Sequence, residues 1–134
     1  MLRNATLIAA FVMIVGPALA AGPYGAIAYS PESDNSAAVA DQPTQQDAEN
    51  AALKSCRDET KSNPDSCQSA LWFKDACGAL AKDAKGSAWG TGWGNTQTIA
   101  TNWAIKVCQQ YGGTECELTV AICSPGGAAT IPNN

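Results

Sequence analysis

The residues of this chain with reactive side chains are Cys56, Cys67, Cys77, Cys108, Cys116 and Cys123, and there is no histidine anywhere. Without imidazole the commonest general base and metal ligand is missing. Neither a Ser-His-Asp triad nor a Cys-His pair can be assembled. Successive cysteines are 11, 10, 31, 8 and 7 positions apart, which lacks the paired short spacings of a zinc site. In an oxidising compartment an even number of cysteines reads as a disulfide framework, here of three bridges, leaving no thiol as nucleophile. The expectation is no metal, no cofactor and no catalytic residue.

Two carboxylate pairs remain. Asp58-Glu59 is one; Glu115 and Glu117 flank Cys116 and share a face if a strand begins there. Two carboxylates held ~5–10 Å apart can cleave a glycosidic bond, so a small carboxylate hydrolase is one alternative. Nothing aromatic and polar surrounds either pair in sequence, and both read more simply as solvated surface charge. Gly90-Thr-Gly-Trp-Gly94 precedes a helix, but Asn95 stands where a dinucleotide fingerprint needs its third glycine. Glycines there suit a strand packed closely on a helix.

The best candidates for a ligand surface are aromatic. Trp89 and Trp93 are four apart, so in a strand they share a side with Thr91 between them, while Gly90, Gly92 and Gly94 occupy the other side. Two tryptophan rings on an exposed strand can anchor a protein partner or stack on a glycan such as peptidoglycan. The competing reading has them covering the core with Trp72 and Trp103. That reading is the simpler one for at least one of the two; the corresponding stretch earlier in the chain, Ser36–Asp41, has no tryptophan, and that asymmetry keeps the ligand-surface reading beside it.

Stepping outward, an internal repeat positions these groups. Gly25-Ala-Ile-Ala28 recurs as Gly78-Ala-Leu-Ala81. In each unit a turn, a strand of small residues and a helix ending in cysteine follow. Gly25 to Cys56 spans 31 positions and Gly78 to Cys108 spans 30. A polar loop, a cysteine and an apolar run close each unit: Cys67–Phe73 in the first and Cys116–Ile122 in the second. Strands are expected at Tyr24–Ser30, Ser36–Asp41, Cys77–Lys82 and Ser87–Trp93. Thr44 and Asp47 are spaced as a capping box for the first helix, whose small face would be Ala48, Ala51, Ala52, Ser55 and Cys56. Asn95 or Thr96 caps the second, with an inner face of Ile99, Trp103 and Val107 beside Ala100, Ala104 and Cys108. Gly112-Gly113 stops it. If the halves fold alike, Cys56–Cys67 and Cys108–Cys116 are equivalent bridges, and Cys77–Cys123 remains.

The chain's start reads as an export signal over residues 1–20: basic Arg3, the uncharged run Ala5–Val15, a Gly16-Pro17 break and the small-x-small site Ala18-Leu19-Ala20. The run is shorter than the roughly 20 residues of a membrane span, and with no cysteine before Cys56 a lipid anchor is not expected. Removing residues 1–20 leaves seven basic and twelve acidic residues, a net charge of −5. That excludes a phosphate-neutralising patch, so nucleic acid is a poor partner. The domain organisation expected is a signal peptide at 1–20, one disulfide-stapled domain at 21–124 and a flexible tail at 125–134.

Tyr24-Gly-Ala-Ile-Ala-Tyr-Ser30, Cys77-Gly-Ala-Leu-Ala81, and Gly92-Trp-Gly-Asn95 leading into an alanine-rich helix that ends at Cys108 resemble the domain of unknown function 4189 family, found in exported bacterial proteins. The resemblance covers about residues 22–124. It implies a compact, disulfide-held α+β domain of two ββα-like modules, and export; it implies no reaction, cofactor or catalytic residue. Trp103 interrupts the alanine pattern of the family's helix. Residues and resemblance together predict an α+β fold of two pseudo-repeated ββα(β) modules, mainly antiparallel sheet with two helices packed on it. The expected function is non-enzymatic binding of a protein partner in the periplasm or outside the cell, through Trp89, Thr91 and Trp93.

Overall fold

The computed structural model describes residues 22–127 and 129–132. The export signal expected at 1–20 lies outside the described residues. The elements are β1 (Tyr24–Ser30), β2 (Asn35–Gln42), α1 (Gln45–Glu59), a 3-10 turn (Pro64–Ser66), β3 (Gln68–Lys74), β4 (Ala76–Asp83), β5 (Trp89–Gly94), α2 (Gln97–Gln110) and β6 (Cys116–Ser124). They form two antiparallel three-stranded sheets, β2-β1-β3 and β5-β4-β6. The α+β modules read from sequence are therefore present, each with its own sheet and its own helix.

Strand alternation sets the layers. In β1, Ala26 and Ala28 face α1, where they pack on Ala48, Ala52 and Cys56. Ile27 and Tyr29 face the other way and meet Phe73, Leu80, Val120 and Ile122 between the two sheets. In β4, Cys77, Ala79 and Ala81 face Ala100, Ala104 and Cys108 of α2. The order of layers is helix, sheet, sheet, helix. Phe73 sits between the two repeat glycines: a Cβ on Gly25 or on Gly78 would each lie 2.4 Å from its ring. The repeated Gly-Ala-x-Ala thus has one physical meaning in both halves. Its glycine makes room for Phe73, its alanines seat a helix, and its third residue fills the inter-sheet core.

The halves correspond residue by residue. Thr44 and Thr96 cap α1 and α2, accepting from the backbone N–H of Asp47 and Ile99 respectively. Tyr29 pairs with Ser36 as Lys82 pairs with Trp89. Both central strands shift register against their third strand at the same point, after Ile27 and after Leu80. Bridges join Cys56–Cys67, Cys108–Cys116 and Cys77–Cys123, as the repeat symmetry predicts and as an oxidising compartment allows. Cys77 and Cys123 are direct cross-strand partners. The corresponding pair in the first half is Tyr24 and Lys74, whose ammonium lies 5.4 Å from the Tyr24 ring centroid.

Three expectations need correction. Ser55 is exposed, so the inner stripe of α1 is Ala48, Ala52 and Cys56. In α2 the inner stripe is Ala100, Ala104 and Cys108, whereas Ile99 is 43% and Trp103 50% exposed. Gly90 and Gly92 are the reason, while Gly94 makes room for the Ile99 side chain, whose Cγ2 would lie 2.3 Å from a Cβ there. With no side chains on that face of β5, the helix backbone comes down to the strand; a Cβ on Gly92 would lie 2.4 Å from the Ala100 oxygen and the Ala104 nitrogen. Only alanine and cysteine fit such a gap, and the large residues are displaced to the flank. The segment expected to be a loose tail is also tied down in part, because Thr130 and Ala121 exchange backbone hydrogen bonds of 2.7 and 3.0 Å.

Candidate functional site

Trp89, Thr91 and Trp93 do share one side of β5, opposite the glycines, but they do not form a joint exposed platform. Trp89 is half-buried against the inter-sheet core, edge-on to Tyr29 with ring centroids 5.3 Å apart and an interplanar angle of 62°. Tyr29 Oη donates to Asp34 Oδ1 at 3.0 Å, and Lys82 pairs with the same carboxylate. Burial first, then this hydrogen bond and the Asp34 charge, raise the Tyr29 phenol above its ordinary range. Trp89 is therefore built into a polar-tipped cluster that joins the sheets. Trp93, by contrast, is 63% exposed.

The exposed partner of Trp93 is Trp103 on α2. The two rings, with Ile99, Val107, Asn95 and consecutive β5 residues Thr91–Gly94, line a hollow of about 530 Å³. Thr91 and Val107 also line a second hollow of similar size, whose walls include Trp89, Gly90 and the exposed Tyr111. The two adjoin at Thr91 and Val107 and form a groove along the seam between β5 and α2, more apolar at the Trp93 end. Lys106 Nζ lies 4.8 Å from the Trp103 ring centroid, a cation–π contact that keeps the ring's position while leaving it half in solvent. Residues 86–114 carry this one charged side chain, and all twelve acids lie elsewhere in the chain.

Trp103, Ile99 and Val107 are functional candidates that periodicity assigned to the core. One signal in the sequence could have separated them. When α1 and α2 are aligned on their capping threonines and bridging cysteines, Ile99, Trp103 and Val107 fall on Asp47, Ala51 and Ser55. The first half builds its helix-on-sheet layer with polar or small residues at those positions, with Ala37 and Val39 of β2 filling the space that Gly90 and Gly92 leave bare in β5.

The carboxylate pairs sit apart from this groove. Glu115 precedes β6 and pairs with Lys85 at 2.6 Å, Glu117 is exposed, and Asp58 pairs with Lys54 at 2.7 Å within the solvent-facing side of α1. All six cysteines are bridged. Among the described residues no helix is long and apolar enough to cross a membrane.

The sequence profile of the family described as "Domain of unknown function (DUF4189)" matches residues 24–123. Among solved structures, the chain is similar to the NMR structure of Rv1813c from Mycobacterium tuberculosis, at 28% identity over 92% of this chain and 95% of that chain, with a TM-score of 0.52. No curated protein matches.

Proposed function

The chain belongs to the DUF4189 family, and from that premise we propose that it is an exported, non-enzymatic binding module that holds a protein partner, in the periplasm or outside the cell, against the groove between β5 and α2. One observation carries this reading. At three matched helix positions the first half carries Asp47, Ala51 and Ser55, yet α2 presents Ile99, Trp103 and Val107, the first two of them about half in solvent. Partly exposed apolar side chains, gathered beside Trp93, have the composition of an interface core. A chain without histidine, with every cysteine bridged and its paired acids out at the surface, supports binding over catalysis. Glycan stacking through Trp89 and Trp93 loses force because Trp89 is turned edge-on to Tyr29 and only Trp93 of that pair offers its ring freely.

Site-directed photo-crosslinking tests the reading. A benzoylphenylalanine placed at position 103 should capture a discrete envelope protein, and Trp93→Ala should abolish the capture. The same probe at Ala51 should capture nothing. Equal capture from both positions, or none from position 103, would count against the groove.

A further inference from the structure

Given that the groove is the binding face, we propose that its occupant is an extended, acid-bearing peptide segment of the partner, which adds to the open edge of β5 as a fourth strand of the β5-β4-β6 sheet.

The edge itself argues for this mode. Exposed strand edges are ordinarily blunted by charge, proline or bulges. Three of the four outer strands among the described residues follow that rule. β2 carries Asp41 and shifts register near it; the Asp41 N–H donates to Ser124 Oγ at 3.0 Å, and Asp41 Oδ1 accepts from Gly126 N–H at 2.6 Å, so this edge is bent and capped. β3 carries Lys74 and a register shift. β6 carries Glu117 and a register shift, and Thr130 pairs with it. β5 has no charge and no proline, and its six pairs with β4 run in unbroken register. It is an unbulged, uncharged edge, and consecutive residues along it, Gly90–Gly94, line the groove.

Strand addition uses such an edge for affinity and alternate side-chain hollows for specificity. The two adjoining hollows provide these, one at Trp93 and Trp103 and the other at Trp89 and Tyr111. Charge completes the description. A peptide lying here meets Lys106 and no acid between residues 86 and 114, in a chain whose remaining surface is acidic. Acidic side chains on the segment are favoured at this face and repelled elsewhere.

The test uses ¹⁵N-labelled protein and a panel of peptides of about eight residues, enough to span β5 at ~3.3 Å per residue. Val, Ile, Phe or Tyr alternate with Asp, Thr or Lys. Acid-bearing members should shift the Trp89–Gly94 amides and the Trp93 and Trp103 indoles. N-methylating one alternate set of peptide amides should weaken binding by about tenfold or more, while methylating the other set changes it by less than about twofold, because a strand pairs through every second residue. Lys106→Glu should reverse the preference from acidic to lysine-bearing peptides. Equal tolerance of both methylated sets would overturn strand addition while leaving the groove as a side-chain docking face. Concentration-dependent protection of the β5 amides without peptide would overturn the peptide in favour of a second copy. A response to cell-wall oligosaccharide and to no peptide would overturn both the segment and the protein partner.

Discussion

Trp103 and Ala51 occupy the same position in the two halves of the fold, each seven residues after the capping threonine and five before the bridging cysteine of its helix. Ala51 is half-buried where Trp103 is half in solvent beside Trp93. The molecule thus contains its own control: a residue of the proposed binding face and, in the other half, the residue that stands at the same helix position.

Converting α2's flank to that of α1, by Ile99→Asp, Trp103→Ala and Val107→Ser, should weaken the fold without abolishing it. Each side chain is about half-buried, so the combined loss is about 2–4 kcal/mol. Asp at position 99 would also stand three residues after Thr96, as Asp47 does after Thr44, where the Thr44 hydroxyl donates to Asp47 Oδ2 at 2.8 Å, and a carboxylate in the first turn offsets part of the loss. Urea unfolding measures it, and binding through the groove should be lost in the same variant. A collapse of the fold would show that these residues are structural.

Gly92 should behave in the opposite way. A Cβ there meets backbone on both sides, Ala100 oxygen and Ala104 nitrogen at 2.4 Å. Gly92→Ala should cost about 2–3 kcal/mol by forcing α2 away from β5. Chemical denaturation would register this as a lowered midpoint.

Phe73 and Gly78 should be energetically coupled, since a Cβ on Gly78 would lie 2.4 Å from the Phe73 ring. Gly78→Ala alone should destabilise by about 1–3 kcal/mol. In a Phe73→Leu background the same change should cost less by about 1 kcal/mol, because the smaller side chain vacates the space. A double-mutant cycle gives the coupling directly, and simple additivity would contradict the packing described.

The three bridges should contribute unequally. Cys77–Cys123 spans 46 residues, whereas Cys56–Cys67 and Cys108–Cys116 span 11 and 8. On chain entropy, replacing both cysteines of a bridge by alanine should cost about 4 kcal/mol for the long loop and about 2.5–3 kcal/mol for either short one. Thermal unfolding of the three paired variants ranks them.

Alkaline pH should act through Tyr29. Its phenol is raised in the fold, chiefly by burial and then by Asp34. Below about pH 10 the phenol is neutral in both states and its contribution is fully present. Above that the unfolded chain ionises while the folded one stays protonated, so stability falls as pH rises. Tyr29→Phe should flatten this part of the curve relative to the parent when unfolding free energies are compared between pH 9 and 11. Parallel curves would place the alkaline sensitivity elsewhere.

The composition excluded the common catalytic constellations, and the repeat predicted the modules and the pairing of all six cysteines; spacing marked Thr44 as a cap and left Asn95 or Thr96 for the second helix, of which Thr96 is the cap. These were legible because each rests on local chemistry or on a symmetry of the chain: strand alternation, the cap-and-box spacing, and a cysteine at matched points in both units. The face of α2 was not legible. Periodicity reports which residues lie along one stripe of a helix, and both Ile99-Trp103-Val107 and Ala100-Ala104-Cys108 are apolar stripes with that spacing. The choice between them is made by Gly90 and Gly92, which lie on a different element and meet the helix only after the sheet has formed. The separation of Trp89 from Trp93 has the same origin. Their shared side of β5 follows from the two-residue period of a strand, but Tyr29 comes from the other sheet, and only the stacking of the two sheets brings it against Trp89 and leaves Trp93 in water.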